Sequence, residues 1–329
     1  MSATSPGWAA MWMLTGDDRN GPVGSVGVDD SAPSYSLRGP LPLAHTVIDR
    51  AGHRRTDDEW LDATWHDPRT RAFVVADGLV AVENGRLVIG ATAEMPAGER
   101  FFLGTDDEQV AFFAVHVDGS HPDPRAAGLR QAAPVLDARD GGLIVHAIAL
   151  ANWHQTHRHC ARCGERTTVA FAGHVRRCPA DGSEHFPRTD PAVIVLVVDG
   201  DDRCLLGRQD GWPAGWFSTL AGFVEPGESA EQAAVREVAE ETGIVVTATA
   251  YAGSQPWPFP SSLMLGYYAR ADGAEPQPDG TELSEAHWYS RDSLDAALRS
   301  GEVRLSPSVS ISRRLIEGWY GSELKSQPR

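Results

Sequence analysis

No stretch of this sequence stays apolar for long. The longest run, Ala192 to Val198, falls far short of the ~20 residues that a helix needs to span a bilayer. The start of the chain lacks a basic region followed by an apolar segment and a small-residue cleavage site. No membrane association is expected, and the expected location is cytoplasmic. Cysteine is scarce, with four in 329 residues. In a cytosolic chain of this size they point to metal binding more than to a disulfide framework. Positive charge is also short: 29 Lys and Arg stand against 45 Asp and Glu, a formal net charge of −16. That balance argues against nucleic-acid binding over the whole surface. Lysine is almost missing, Lys325 being the only one. This is read as genomic compositional bias without functional weight.

The chain is long enough for two domains with their own cores, and 42 % apolar residues is ordinary for a globular protein. Residues 1–40 are rich in Gly, Ser, Pro and Asp and predict a loosely ordered extension. Over 41–153 short apolar runs alternate with turn signals, as in Ala72–Ala76, Arg86–Gly90, Arg100–Leu103 and Val110–Val115, which predicts a β-rich domain. Ile144 to His157 has helical spacing. From 191 to 320 the pattern mixes strands and helices. Ala192–Val198 and Cys204–Gly207 flank a Gly-Asp-Asp turn and read as a hairpin, with further strands near Val245–Tyr251, Met264–Ala271 and Ala286–Tyr289. Asp292–Leu298 and Val309–Trp319 read as helices, and residues 321–329 as a tail. No internal repeat is visible.

The most informative stretch runs from Gly222 to Ile244. Gly222 is followed by Glu228 and then by Arg236-Glu-Val-Ala-Glu-Glu-Thr-Gly-Ile244. Ser229 with Gln232 three residues on is a capping-box pattern, and Gly243 suits the position just past a helix C-terminus. On that helix Glu237, Glu240 and Glu241 share one face at i, i+3 and i+4. They repel one another and crowd the end of the helix where the macrodipole disfavours anions. A solvated acidic face is the plain alternative, but local physics disfavours this cluster unless a cation compensates it. All-oxygen ligands suit Mg²⁺ or Mn²⁺. Thr219–Val224 reads as a short buried strand, and Gly222 permits close approach of the backbone to a ligand. Arg236 is expected to orient Glu228 by a salt bridge rather than to touch substrate.

A second ligand set precedes this one. Cys160-Ala-Arg-Cys163-Gly164 and, fifteen residues after Cys163, Cys178-Pro-Ala-Asp181 have the spacing of two zinc-ribbon knuckles. Asp181 stands in the fourth slot. His185 is its main rival, with His157 and His159 further options, and a ribbon that has lost its metal is the alternative. The ribbon region, 154–190, is locally basic, with Arg158, Arg162, Arg166, Arg176, Arg177 and Arg188. That charge reads either as a solvated face or as a patch that positions phosphates. Cys204 lies in an apolar strand and reads as a core residue.

The Gly222–Ile244 pattern matches every fixed position of the Nudix box, so the chain resembles a Nudix hydrolase. About ten residues beyond the box, Ser254-Gln-Pro-Trp-Pro-Phe-Pro-Ser-Ser-Leu-Met264 resembles the SQPWPFPxS signature of the NADH pyrophosphatase branch. That branch also carries a zinc ribbon and a β-rich N-terminal domain in this order. The resemblance implies an α/β fold: a Nudix α/β/α sandwich over 191–320, preceded by the ribbon and the β-rich domain. It implies metal ligation by Glu237, Glu241 and the Ala221 carbonyl, completed by Glu282 or its neighbour Glu285. Glu240 is either a further metal ligand or part of water activation. Structural zinc would sit on Cys160, Cys163, Cys178 and Asp181. Phe223 and Phe186 are expected as stacking surfaces, Gln255, Ser261 and Ser262 as polar contacts, Trp257 as a flat surface or a structural residue, and Ser312 as a small residue at the pocket. The implied activity is hydrolysis of NAD(H) to NMN(H) and AMP in a homodimer. Removal of NAD caps from RNA is the first alternative, and a Nudix-derived regulator without catalysis is an alternative of another class.

Overall fold

The structure, a computed structural model, describes residues 33–325. The N-terminal domain is built on one four-stranded sheet. Arg71–Val75 pairs in parallel with Ala111–His116, which pairs antiparallel with Glu99–Thr105; Gly90–Ala91 closes the other edge. Alternation along these strands makes two apolar faces. Phe73, Phe101, Leu103 and Phe112 pack towards the long helix Ala138–Thr156, against Leu143, Ile144 and Ile148. Phe102, Phe113 and Val115 pack the other way, against Trp65 of the helix Asp58–Trp65. The run Val110–Val115 is therefore buried on both sides, which is why it reads as nearly continuous rather than alternating. The long helix begins at Ala138, capped by Asp137, six residues before its apolar spacing becomes legible.

The ribbon is a three-stranded antiparallel unit of Thr168–Ala170, Val175–Arg177 and Glu184–His185. The chain then enters the catalytic sheet at Asp190–Val198. This strand pairs in parallel with Ser262–Ala271 along its whole length and antiparallel with Leu220–Phe223 and Cys204–Arg208; the expected hairpin to Cys204–Arg208 is present. Glu285–Tyr289 and Val246–Trp257 form the edges. Val193, Val195 and Val197 face the helix Ala230–Thr242, whereas Ile194, Leu196 and Val198 face the helices Arg291–Ser300 and Ile311–Tyr320. One strand thus supplies both cores of an α/β/α sandwich, and each fully buried Val, Ile or Leu contributes ~1.5–3 kcal/mol. Among the described residues no helix is long and apolar enough to cross a membrane.

Three details differ from the sequence reading. Of the supposed loose extension, residues 1–32 lie outside the described residues, but 33–41 form a strap on the catalytic domain. Tyr35 and Leu37 pack on its core, Leu41 is buried in it, and the Tyr35 hydroxyl donates to Asp202. Of the tail, residues 321–325 are described and are likewise anchored, because Leu324 is buried and its backbone bonds Arg313 and Glu317. Ser254–Trp257 is not loop but the end of the strand Val246–Trp257, paired with Leu265–Ser262. Pro256 reads as a loop signal, yet an edge strand tolerates a residue without an N–H.

Candidate active site and zinc ribbon

The carboxylate site is made by one helix, one strand and one loop. Ser229 caps the helix by accepting from the Gln232 N–H, and the Gln232 side chain accepts from the Ser229 N–H. Gly243, at φ 68°, ends it. Glu237 and Glu241 face inward beside Val238 and Ala234, only 8 % and 3 % exposed. The strand Leu220–Phe223 crosses directly over them. A Cβ on Gly222 would lie 1.9 Å from the Glu237 carboxyl carbon, so any larger residue there would displace that carboxylate. Ala221 and Gly222 are half-buried and Phe223 exposed, so the strand is less buried than its composition predicts. Glu282 comes from the loop before Glu285–Tyr289. Asp279 folds that loop by accepting from the N–H groups of Glu282 at 3.1 Å and Leu283 at 2.8 Å. One oxygen from each of Glu237, Glu241 and Glu282 falls within 4.8 Å of the others. The rival Glu285 is engaged elsewhere, 3.2 Å from Arg208.

The electrostatics of this cluster are unfavourable as it stands. Burial pushes the Glu241 carboxyl up to about 8, and Glu237, Glu282, Asp279 and Glu240 add to the effect. Burial also raises Glu237, against the opposing pull of Arg236. One Glu241 oxygen, Oε2, is buried with no hydrogen-bond partner. A buried, partnerless carboxylate oxygen beside two further carboxylates is what a hard divalent cation satisfies. The residues present therefore fit Mg²⁺ or Mn²⁺. Glu240 does not join the cluster: it is 61 % exposed and pairs with Arg236 at 2.9 Å. Arg236 is the organiser expected from its spacing. It holds Glu228 by two bonds of 2.8 and 2.9 Å, reaches Glu237 at 2.9 Å, and donates to the Phe223 carbonyl at 2.9 Å. This fork draws the Glu228 carboxyl down to about 2.

The ribbon set is built differently. Two turns repeat one pattern: the Gly164 N–H donates to the Cys160 carbonyl and the Gly182 N–H to the Cys178 carbonyl, with both glycines at positive φ. The repeat brings Cys160, Cys163, Cys178 and Asp181 together within 4.8 Å. The Cys163 and Cys178 sulfurs are 3.5 Å apart, and Asp181 Oδ2 lies 3.7 Å from Cys160 Sγ. His185 Nε2 also approaches Cys160 Sγ, at 3.3 Å, but stands outside the four-ligand set. Hydrogen bonds from Ser183 hold Asp181 far below the usual carboxylate range. The Ser183 hydroxyl, before other contacts, brings the Cys160 thiol down to about 6. Three sulfurs and one carboxylate at this separation suit tetrahedral zinc.

Residues 188–309 match the NUDIX domain and residues 155–186 match the NADH pyrophosphatase zinc ribbon domain. A protein of Mycobacterium bovis named NAD-capped RNA hydrolase NudC is 41 % identical over 312 residues, covering 89 % of this chain and 99 % of its own length. A protein of the same name from Stutzerimonas stutzeri is 41 % identical over 219 residues, or 67 % of this chain and 76 % of its own. The chain belongs to the NudC-type Nudix hydrolases.

In this Nudix hydrolase the SQPWPFP segment touches both the N-terminal core and the catalytic domain. Gln255, expected as a polar contact, makes its hydrogen bonds within the protein. It is fully buried, its amide donates to the carbonyls of Pro42 at 2.7 Å and Val309 at 2.8 Å, and its oxygen accepts from the Ile311 N–H at 2.9 Å. Ser312, expected as a small residue at the pocket, is also bonded within the protein. It is 1 % exposed, and its hydroxyl bridges Ser218 and Thr219 behind the strand that carries the site. Trp257 and Phe259 pack against the N-terminal core, with the Arg130 guanidinium over Phe259 at 4.3 Å. Asn152 of the long helix donates to the carbonyls of Pro258 and Pro260, both at 3.0 Å. Ser261 gives its hydroxyl to Asp190 at 2.7 Å, while Ser262 is half-buried and opens the strand beside Asp190. Phe223 and Phe186 are 58 % and 66 % exposed, and these two aromatic faces stand free at the surface. Asp279 is a site residue that sequence reasoning misses, although Asp-Gly before the site loop is an available signal.

Proposed function

We propose that this enzyme hydrolyses the central pyrophosphate of NAD carried as a 5′ cap on RNA, and the same bond in free NAD(H). The observation that carries the reading is the partnerless Glu241 oxygen, buried with Glu237 under the strand that presents Phe223 and joined from the surface by Glu282. Pyrophosphate chemistry and a stacking surface are thus one residue apart, at Gly222 and Phe223. The sequence alone puts free NADH first. The mycobacterial relative, similar over nearly its whole length, bears the name of a capped-RNA hydrolase and supports the cap as principal substrate. An intact carboxylate set argues against a regulator that has lost catalysis.

Glu237, Glu241, Glu282 and the Ala221 carbonyl would hold the Mg²⁺ or Mn²⁺. Bound there, the metal would neutralise the phosphates and lower the pKa of water, as divalent ions do in phosphoryl transfer. Arg236 keeps Glu237 and Glu228 in register and fixes the Phe223 carbonyl. Phe223 stacks on the base or nicotinamide, with Phe186 as a second face and Ser262 as a polar contact. Water adds to one phosphorus, the bridging P–O bond breaks, and the two products are monophosphates. Zinc on the ribbon is structural. A homodimer with sites shared by two subunits fits the exposure of Phe186 and Phe223 in one chain.

The test is product analysis in ¹⁸O-water with Mg²⁺ or Mn²⁺. NAD-capped RNA should give NMN and 5′-monophosphorylated RNA, and NADH should give reduced NMN and AMP, with label in one product. Release of nicotinamide or free phosphate would overturn the reading. So would intact caps alongside rapid cleavage of ADP-ribose or coenzyme A.

A further inference from the structure

A second charged cluster shares no residue with the carboxylate site. It lines a cleft of about 370 Å³ between the N-terminal sheet and the ribbon. Glu99 and His116 face each other across paired strands, with Asp118 just beyond. His154 and Arg158 lie at the end of the long helix, and Arg166 and Arg176 come from the ribbon.

His116 is 5 % exposed. Its Nδ1 lies 3.6 Å from Glu99, and its Nε2 has no partner. His154 is occupied on both sides: Nε2 meets the Gly173 carbonyl and Nδ1 meets Arg176 Nη1, each at 2.8 Å. Burial holds its pKa near 4, so it is a neutral acceptor for that guanidinium. Arg176 thus occupies the place a metal would take beside His154, and a cation does not fit. Arg176 is 4 % exposed and further fixed by Thr167. Arg158 pairs with Asp118 at the rim at 2.7 Å; the Arg166 guanidinium makes no close ion pair among the described residues, although its charge also bears on Asp118. Three guanidinium groups therefore converge where only Glu99 and Asp118 answer them, in a chain that is otherwise strongly acidic.

We propose that this cleft is a phosphate-binding site, separate from the carboxylate cluster, in which Arg158 and Arg166 meet the oxygens of a phosphate group. Guanidinium forks match the geometry of such oxygens. The cleft exceeds a bare ion and has room for part of an ester. It also has a link to the active site: Asn152, two residues before His154 on the same helix, holds the turn that carries Ser261 and Ser262. Two sources share this chemistry. One is a backbone phosphate of RNA beyond the cap, which rests on the function proposed above. The other is a free mononucleotide or inorganic phosphate.

Arg158→Ala and Arg166→Ala, made together, remove the two accessible arms and leave Arg176 in place. Fluorescence anisotropy with a short 5′-monophosphorylated RNA reads binding without turnover, and AMP and inorganic phosphate are titrated separately by calorimetry. The double variant should bind RNA about tenfold more weakly, and its salt slope should fall by about 0.7 for each phosphate that is no longer neutralised. NADH turnover should stay unchanged. Loss on the RNA arm alone assigns the cleft to backbone phosphate, and loss on the AMP and phosphate arm assigns it to free ligands. Unchanged affinity on both arms overturns the proposal. A parallel fall in NADH turnover also overturns it, because the cleft would then belong to the catalytic pocket. Failure of the hydrolase reading would show separately, as uncleaved caps with the wild-type enzyme.

Discussion

The two ligand sets of this chain sit within one polypeptide and are built on opposite terms. In the ribbon the ligands have hydrogen-bond company: Ser183 serves Asp181 and Cys160, and backbone turns hold Cys160 and Cys178. In the catalytic cluster Glu241 is buried with an oxygen that has no partner, and its neighbours repel it. The ribbon's ligands are supported whether or not a metal is present. The carboxylates are held by the surrounding fold in an arrangement that costs stability until a cation arrives. A perturbed, partnerless acid next to an exposed aromatic marks the functional site, whereas a supported cluster marks a structural one.

The sharpest way to break this contrast is to remove one carboxylate. Glu241→Gln should lower kcat/KM on NADH or capped RNA by about a thousandfold or more, since metal stabilisation of transition-state charge is worth several kcal/mol. The variant should fold normally, with circular dichroism unchanged and zinc retained. Turnover near the wild-type level with Mg²⁺ or Mn²⁺ would make the metal assignment wrong. The ribbon should respond in the other sense. Cys178→Ala should lose zinc and stability together, because structural zinc contributes folding free energy outright. Metal analysis should also show zinc falling in Asp181→Ala and kept in His185→Ala; the reverse would make His185 the fourth ligand.

Smaller effects separate the residues of the SQPWPFP segment from the aromatic face. Gln255→Ala leaves the carbonyls of Pro42 and Val309 and the Ile311 N–H without their partner. It should cost ~1–3 kcal/mol per group stranded in the interior, with KM little changed. Phe223→Ala should do the opposite, weakening substrate by ~1–3 kcal/mol while leaving Mn²⁺ affinity and melting temperature alone. Denaturant melts and steady-state kinetics on both variants check the pair.

Much of the site is legible in the amino-acid sequence. Ser229, Gln232 and Gly243 delimit the helix by local hydrogen-bond chemistry, and i, i+4 spacing alone puts Glu237 and Glu241 together. The two knuckles are readable because each is a local turn. Legibility stops where long-range contacts decide. Nothing local to Gln255 reveals that Pro42, Val309 and Ile311 converge on it. Ser312 meets Ser218 and Thr219 only because the last helix packs behind the site strand. Glu240 shares the helical face of its neighbours and is separated from them by Arg236, a matter of side-chain direction. Residues 33–41 resemble a tail in composition, and the few apolar groups that anchor them carry no periodic signal.

The most direct measurement is melting temperature against pH for the wild type and Glu241→Gln, each zinc-loaded, with and without Mn²⁺. The Glu241 carboxyl sits at about 8 in the folded protein, against an ordinary value of 4.5. A raised acid destabilises the fold only where the unfolded chain has already released the proton. The cost is therefore absent below the ordinary value, grows as pH rises, and is complete above the folded value. Without Mn²⁺ the variant should gain on the wild type steadily between those limits, and Mn²⁺ should remove that gain by stabilising the wild type most at the alkaline end. Parallel pH curves for the two proteins, or an equal Mn²⁺ shift in both, would contradict the claim that this buried carboxylate is held in wait for a metal.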